Sequence, residues 1–165
     1  MNRRLQHGNF KIGPGRESGL TLIELIVAAA ILSILSMAAL PMARVQLRRA
    51  QEKELRIALR EIRTAIDKFK EASDAKVIQV KLGSDGYPED LDVLVEGVDL
   101  LNSPEKKKLR FLRRIPRDPI INSTEWGKRS VQDEADSAAW GGENVFDVFT
   151  TAQGTALDGS SYAEW

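Results

Sequence analysis

The chain has 165 residues with 24 basic and 24 acidic side chains, so its formal charge is zero; it has no cysteine and a single histidine, His7. A catalytic triad, a thiol nucleophile and a zinc centre all draw on histidine or cysteine, so most hydrolytic chemistry and any disulfide framework are excluded, and no enzyme is expected. The length allows one small hydrophobic core and no more.

The chain opens with a basic stretch, Arg3, Arg4, Lys11 and Arg16 against Glu17, which meets the small pair Ser18-Gly19 before any apolar run begins. A secretory signal has the opposite order, with its apolar region ahead of the cleavage site. Cleavage after Gly19 therefore leaves the apolar run on the mature protein, where the excess of positive charge before it holds the leader in the cytoplasm and sends the C-terminal part outward. Losing the leader removes a net charge of +3 and leaves the remainder at about −3.

From Leu25 to Leu40 every residue is apolar except Ser33 and Ser36, and the stretch from Leu20 to Ala43 is long enough to cross a bilayer as a helix. Glu24 stands near its start, where a carboxylate in hydrocarbon costs on the order of 2.5 kcal/mol or more. A charge at such cost marks a functional position. Pro41, near the other end, has no N–H to donate, so a kink or local break is expected there.

Residues Gly19-Leu20-Thr21-Leu22-Ile23-Glu24-Leu25 resemble the processing site of type IV pilins and type II secretion pseudopilins. The resemblance implies that a prepilin peptidase cuts between Gly19 and Leu20 and methylates the new N-terminus at Leu20, which stands where the family usually has phenylalanine. It implies further that Glu24 corresponds to the family's glutamate and Pro41 to a proline that breaks the helix in assembled filaments. Pairing of Glu24 with the Leu20 amine of a neighbouring copy would turn the costly charge into a register device for assembly.

Beyond the proline, Leu55, Ala58, Leu59, Ile62, Ala65, Ile66, Phe69 and Ala72 recur at helical spacing among charged residues, which predicts an amphipathic helix over 44–75. From Leu20 to about Ser73 the spine would run roughly 80 Å at 1.5 Å per residue. Pairs such as Glu52 with Arg56 read as a solvated charged face. A turn at Leu82-Gly83-Ser84-Asp85-Gly86 leads into a short helix opening at Tyr87-Pro88-Glu89-Asp90-Leu91, with Leu91, Leu94 and Val95 as its apolar edge. That segment is similar to the one following the long helix in major pseudopilins.

Lys106 to Arg117 holds seven basic residues in twelve. Such a cluster suits nucleic acid or lipid headgroups, but Leu109, Leu112 and Ile115 also suit one anchored side with the cations facing water. Thr124–Val131 and Asn144–Thr150 read as strands of a small antiparallel sheet, separated by an acidic loop from Gln132 to Gly142. In major pseudopilins the C-terminal loop holds calcium; here the usual Gly-Ala-Asp-Gly turn is replaced by Ala152-Gln153-Gly154, leaving Asp158 as the side chain to offer oxygen to a Ca2+ ion. The alternative is a plain turn at Asp158-Gly159 with Tyr162 and Trp165 packed back on the sheet.

The expected protein is α+β and pilin-like: a leader (1–19), a transmembrane and assembly helix (20–43), the amphipathic half of the spine (44–75) and a globular periplasmic head (76–165). The resemblance, together with the absence of the disulfide that closes many type IV pilins, implies the major pseudopilin of a bacterial type II secretion system. The alternatives are a type IV pilus subunit and a DNA-uptake pilin using the basic cluster. The expected partners are further copies in a helical filament, minor pseudopilins, the prepilin peptidase, the inner-membrane assembly platform and the membrane itself, with nucleic acid not among them. The expected location is the inner membrane, single-pass, with the filament in the periplasm or at the cell surface.

Overall fold

The computed structural model describes residues 19–101 and 107–165. The expected leader over residues 1–18, including His7, and the Lys106 end of the basic cluster lie outside the described residues. The elements in chain order are helix α1 (Leu22–Asp74), helix α2 (Leu91–Glu96), strands β1 (Val98–Asp99), β2 (Lys108–Leu109), β3 (Gly127–Arg129) and β4 (Asp147–Phe149), and a 3-10 turn at Tyr162–Glu164. By compactness the chain divides after Met42.

In the first unit α1 exposes its large apolar residues, among them Leu22, Ile23, Ile26, Ile31, Leu35 and Met42. Water does not tolerate so continuous an apolar surface, and α1 is the one helix among the described residues long and apolar enough to cross a membrane. The hydroxyls that interrupt the run are satisfied locally, since Ser33 donates to the Ala29 carbonyl at 2.8 Å and Ser36 to the Leu32 carbonyl at 2.7 Å. Helix α1 continues through Pro41 in the single chain, and the break that the resemblance implies belongs to assembled filaments. Proline's fixed φ is itself helical; what it removes is the N–H that would have met the Met37 carbonyl.

In the second unit the predicted stripe is the core. Leu55, Ala58, Leu59, Ile62, Ala65, Ile66 and Phe69 of α1 are buried together with Leu91, Leu94, Leu112, Val145, Val148 and Tyr162. Each large member contributes about 1.5–3 kcal/mol by leaving water. Helix α2 starts at Leu91, later than the Tyr87-Pro88 opening expected, because the Asp90 carboxylate accepts from the Leu91 amide at 2.6 Å and caps the first turn. Its Leu94 carbonyl accepts from the amides of both Phe111 and Leu112 at 2.9 Å, which fastens the basic segment to the helix.

One sheet was expected and two short antiparallel pairs are found. Strand β1 pairs with β2, Val98 opposite Leu109, and β3 pairs with β4, Lys128 opposite Val148. The second pair lies inside the expected Thr124–Val131 and Asn144–Thr150 stretches but is shorter. The β1–β2 pair was not foreseen, since neither two-residue strand carries an alternating pattern long enough to register. Asp118 is fully buried, with its carboxylate accepting from Thr150 Oγ1 and from the Ile120 amide at 2.7 Å. Trp126 donates its indole N–H to the Pro116 carbonyl at 2.9 Å.

Gly97 ends α2 at φ 80° and ψ 157°, a region essentially confined to glycine, and a Cβ there would lie 2.7 Å from the Leu109 carbonyl oxygen. Gly97→Ala should therefore destabilise a fragment of residues 43–165 by about 1–3 kcal/mol. Urea unfolding would read this as a lower midpoint at unchanged slope; an unchanged midpoint would mean that the turn relaxes freely.

Candidate functional site: the helix start and the α1 clamp on the C-terminus

Gly19 and Leu20 precede α1 in non-helical, exposed backbone, and a Cβ placed on Gly19 meets nothing within 4 Å. Thr21 caps the helix: its carbonyl accepts from the Leu25 amide at 3.2 Å and its hydroxyl from the Glu24 amide at 3.3 Å. Thr21-Leu22-Ile23-Glu24 thus has the spacing of a capping box, with Glu24 three residues after the cap. Thr21 was missed as a site residue, although its spacing from Glu24 was visible in the chain. Glu24 itself is exposed in the first turn, where the helix dipole favours an anion, and it makes no ion pair among the described residues.

A family model described as the prokaryotic N-terminal methylation motif matches residues 15–40. The match supports a type IV pilin-like protein. It spans the proposed cleavage point, the cap, Glu24 and most of the apolar helix, and it implies processing by a prepilin peptidase and assembly into filaments. The motif and the apolar half of α1 together fit a membrane-anchored, single-pass protein. No curated protein and no solved structure matches the chain.

In the second unit, charged residues of α1 hold the C-terminal segment. Glu52 is nearly buried, and one of its carboxylate oxygens accepts from Tyr162 Oη and from the Leu157 amide, both at 2.9 Å. Arg48, one turn earlier, donates to the Thr155 carbonyl and lies 3.5 Å from Glu52. One turn later, Arg56 pairs with Asp158 at 2.7 Å and stacks over the Trp165 ring at 4.1 Å. Arg63 bonds Asp147 at 2.7 Å, the Val148 carbonyl at 2.9 Å and the Trp165 carbonyl at 2.7 Å.

These contacts correct one expectation. Glu52 and Arg56 are not a mutual pair on a solvated face, because each is turned to a different partner in the C-terminal segment. Tyr162 and Trp165 pack on α1 and on each other, with ring centroids 5.3 Å apart, and Tyr162 also shares the buried core with Val148 of β4. The hint in the chain was the spacing of Arg48, Glu52 and Arg56, which keeps charges in line at the edge of the apolar stripe.

Asp158 bears on the calcium expectation. One of its carboxylate oxygens accepts from Ser160 Oγ at 2.6 Å and the Ser160 amide at 3.0 Å, while the other accepts from Arg56. Ser160 first, and Arg56 after it, hold the Asp158 carboxyl down at about 2. Calcium takes six to eight oxygens. Here a guanidinium occupies one side of the carboxylate, and the described residues contain no group of three or more His, Cys, Asp or Glu side chains fit for a metal. This donor set does not fit a calcium cage.

Two outcomes follow. A carboxyl depressed on folding contributes stability that is present above its unfolded pKa, near 3.8, and lost as pH falls through about 2. The melting temperature of residues 43–165 should therefore exceed that of Asp158→Asn above pH 4, with the gap closing toward pH 2, and a chelator should shift neither protein. A chelator-dependent melt abolished by Asp158→Asn would restore the calcium assignment. At the other end, a Cβ on Gly19 meets nothing within 4 Å, so a larger residue there is compatible with the helix start and its expected effect is on processing. Mass spectrometry of Gly19→Val should find the leader retained; a methylated Leu20 terminus would show that glycine is dispensable.

Proposed function

We propose that this protein is the major pseudopilin of a bacterial type II secretion system, a structural subunit and not an enzyme. It is cut after Gly19, methylated at Leu20, anchored in the inner membrane by the apolar half of α1, and polymerised into a periplasmic filament that drives protein export. Minor pseudopilins, the prepilin peptidase and an inner-membrane assembly platform are the partners of that reading. The observation that carries it is the methylation motif at 15–40 running into an apolar helix in a chain that closes its head without a disulfide, through Glu52, Arg56 and Arg63. An exported domain without cysteine needs such non-covalent closure.

Glu24 supplies the mechanism of assembly. An apolar helix sliding along other apolar helices has little to fix its axial position. A carboxylate in hydrocarbon must find a cation, and the amine of a neighbour's Leu20, created by cleavage, is the one that arrives with each new subunit. Only one offset satisfies it.

Glu24→Val should accordingly be processed and inserted at least as well as wild type, yet give a tenfold or greater loss of filaments in cells overproducing it. Electron microscopy of those cells checks this, with mass spectrometry to confirm the Leu20 terminus. Wild-type filament numbers from Glu24→Val would reduce α1 to an ordinary anchor. The same micrographs test the system served, because wild-type filaments extending from the cell surface would favour a type IV pilus subunit.

A further inference from the structure

Two charged stretches of the head have no role in the clamp or the anchor. The first is the basic segment fastened to α2. Its Lys108, Arg113 and Arg114 are exposed, and none of the three makes a hydrogen bond or ion pair among the described residues. Arg113 and Arg114 border grooves beside α1 that share Ile57, an apolar side chain left 54% exposed in the middle of a charged helix face.

The second is the loop between β3 and β4. Residues 132–143 include Asp133, Glu134, Asp136 and Glu143 and no basic residue. Asp133 spends its carboxylate on the loop itself, accepting from the Ser130 amide at 2.7 Å and the Gly141 amide at 3.1 Å, and Trp140 donates to the Asn144 carbonyl at 2.7 Å. Glu134, Asp136 and Glu143 are exposed and make no side-chain hydrogen bond or ion pair among the described residues. The loop is thus braced while three carboxylates stand free of it. At its two ends Val131 is 44% exposed and Phe146 48% exposed.

Among the described residues no ion pair joins the two stretches; Glu54 and Glu61 of α1 line the grooves that Arg114 and Arg113 border without pairing with either, and Glu134, Asp136 and Glu143 stay unpaired near exposed Val131 and Phe146. Like charges held together repel until the opposite sign arrives. Along α1, by contrast, acids and bases alternate in sequence.

We propose that the basic segment of one copy docks on the β3–β4 loop of the next, with Arg113 and Arg114 meeting Glu134 and Asp136 and Ile57 facing Phe146. Two different patches on one chain make a heterologous contact, which propagates as an open helix instead of closing as a dimer. Complementary charge also orients the incoming head before the membrane helices settle, as it does in steered association. The proposal rests on the filament reading above and adds a second, water-exposed register to the one set by Glu24.

The test uses the full-length protein overproduced in its host. Arg113→Glu with Arg114→Glu should be processed normally and melt as wild type, yet give at least tenfold fewer filaments. Adding Glu134→Arg and Asp136→Arg to the same chain should restore at least half of them, because every contact then has both signs exchanged. Since the chain lacks cysteine, Arg114→Cys with Glu134→Cys should form a ladder of disulfide-linked oligomers in oxidised membranes, while either single variant gives none above dimer. Wild-type filament numbers from the arginine reversals would overturn the contact and leave the filament reading intact. Failure of the fourfold variant to restore filaments would overturn the pairing and assign the basic edge to another acidic partner, nucleic acid being the first to try by gel shift. A wild type that forms no filaments would remove both readings together.

Discussion

A carboxylate on the packed side of an amphipathic helix destabilises the fold unless its oxygens are met, and Glu52 meets that demand with the end of the chain. The Tyr162 hydroxyl and the Leu157 amide both converge on one oxygen, which fixes a segment that otherwise has only a 3-10 turn and a single bridge between Thr155 and Ser161. Removing one partner of such a contact leaves the other buried and unpaired, at a cost of about 1–3 kcal/mol. Arg56 and Arg63, on following turns of α1, extend the same grip through Asp158, Trp165 and Asp147. The head is therefore closed by the helix on which it is built, and no covalent staple is needed.

The same helix serves two solvents. Up to Met42 its apolar residues face outward and its two serines bond their own backbone, as hydrocarbon requires. From Ala43 the apolar residues contract to one stripe and the charges fill the remaining face. The protein puts its ionic interactions where water can support them, with one exception. Glu24 stays in the apolar half, and that it makes no ion pair among the described residues is the reason to look for a partner in a second copy.

The basic segment illustrates how one stretch can satisfy two constraints. Leu112 is buried and Leu109 and Ile115 are partly so, as their spacing among the cations suggested. Their packing turns Lys108, Arg113 and Arg114 outward, and none of the three forms an ion pair among the described residues. The β3–β4 loop does the converse with carboxylates, using Asp133 as an internal brace.

What could be read from the chain alone was whatever depends on neighbours a few residues apart. The membrane-length run, the order of leader and apolar region, Glu24, the helical stripe from Leu55 to Ala72 and the acidic loop between two strands all follow from local spacing, because helix and strand periods place residues before any tertiary contact forms. The tertiary structure alone decided the contacts that join residues about a hundred positions apart. Glu52 and Arg56 have the spacing of a mutual surface pair, and nothing local says that Tyr162, Leu157 and Asp158 will claim them first. Strands β1 and β2 are likewise too short to announce themselves and exist because the turn at Gly97 and the hold of Leu94 on Phe111 and Leu112 bring them together. A short side chain's role in the core or on the surface is set by which distant backbone arrives beside it, and that arrival depends on the packing of the whole head.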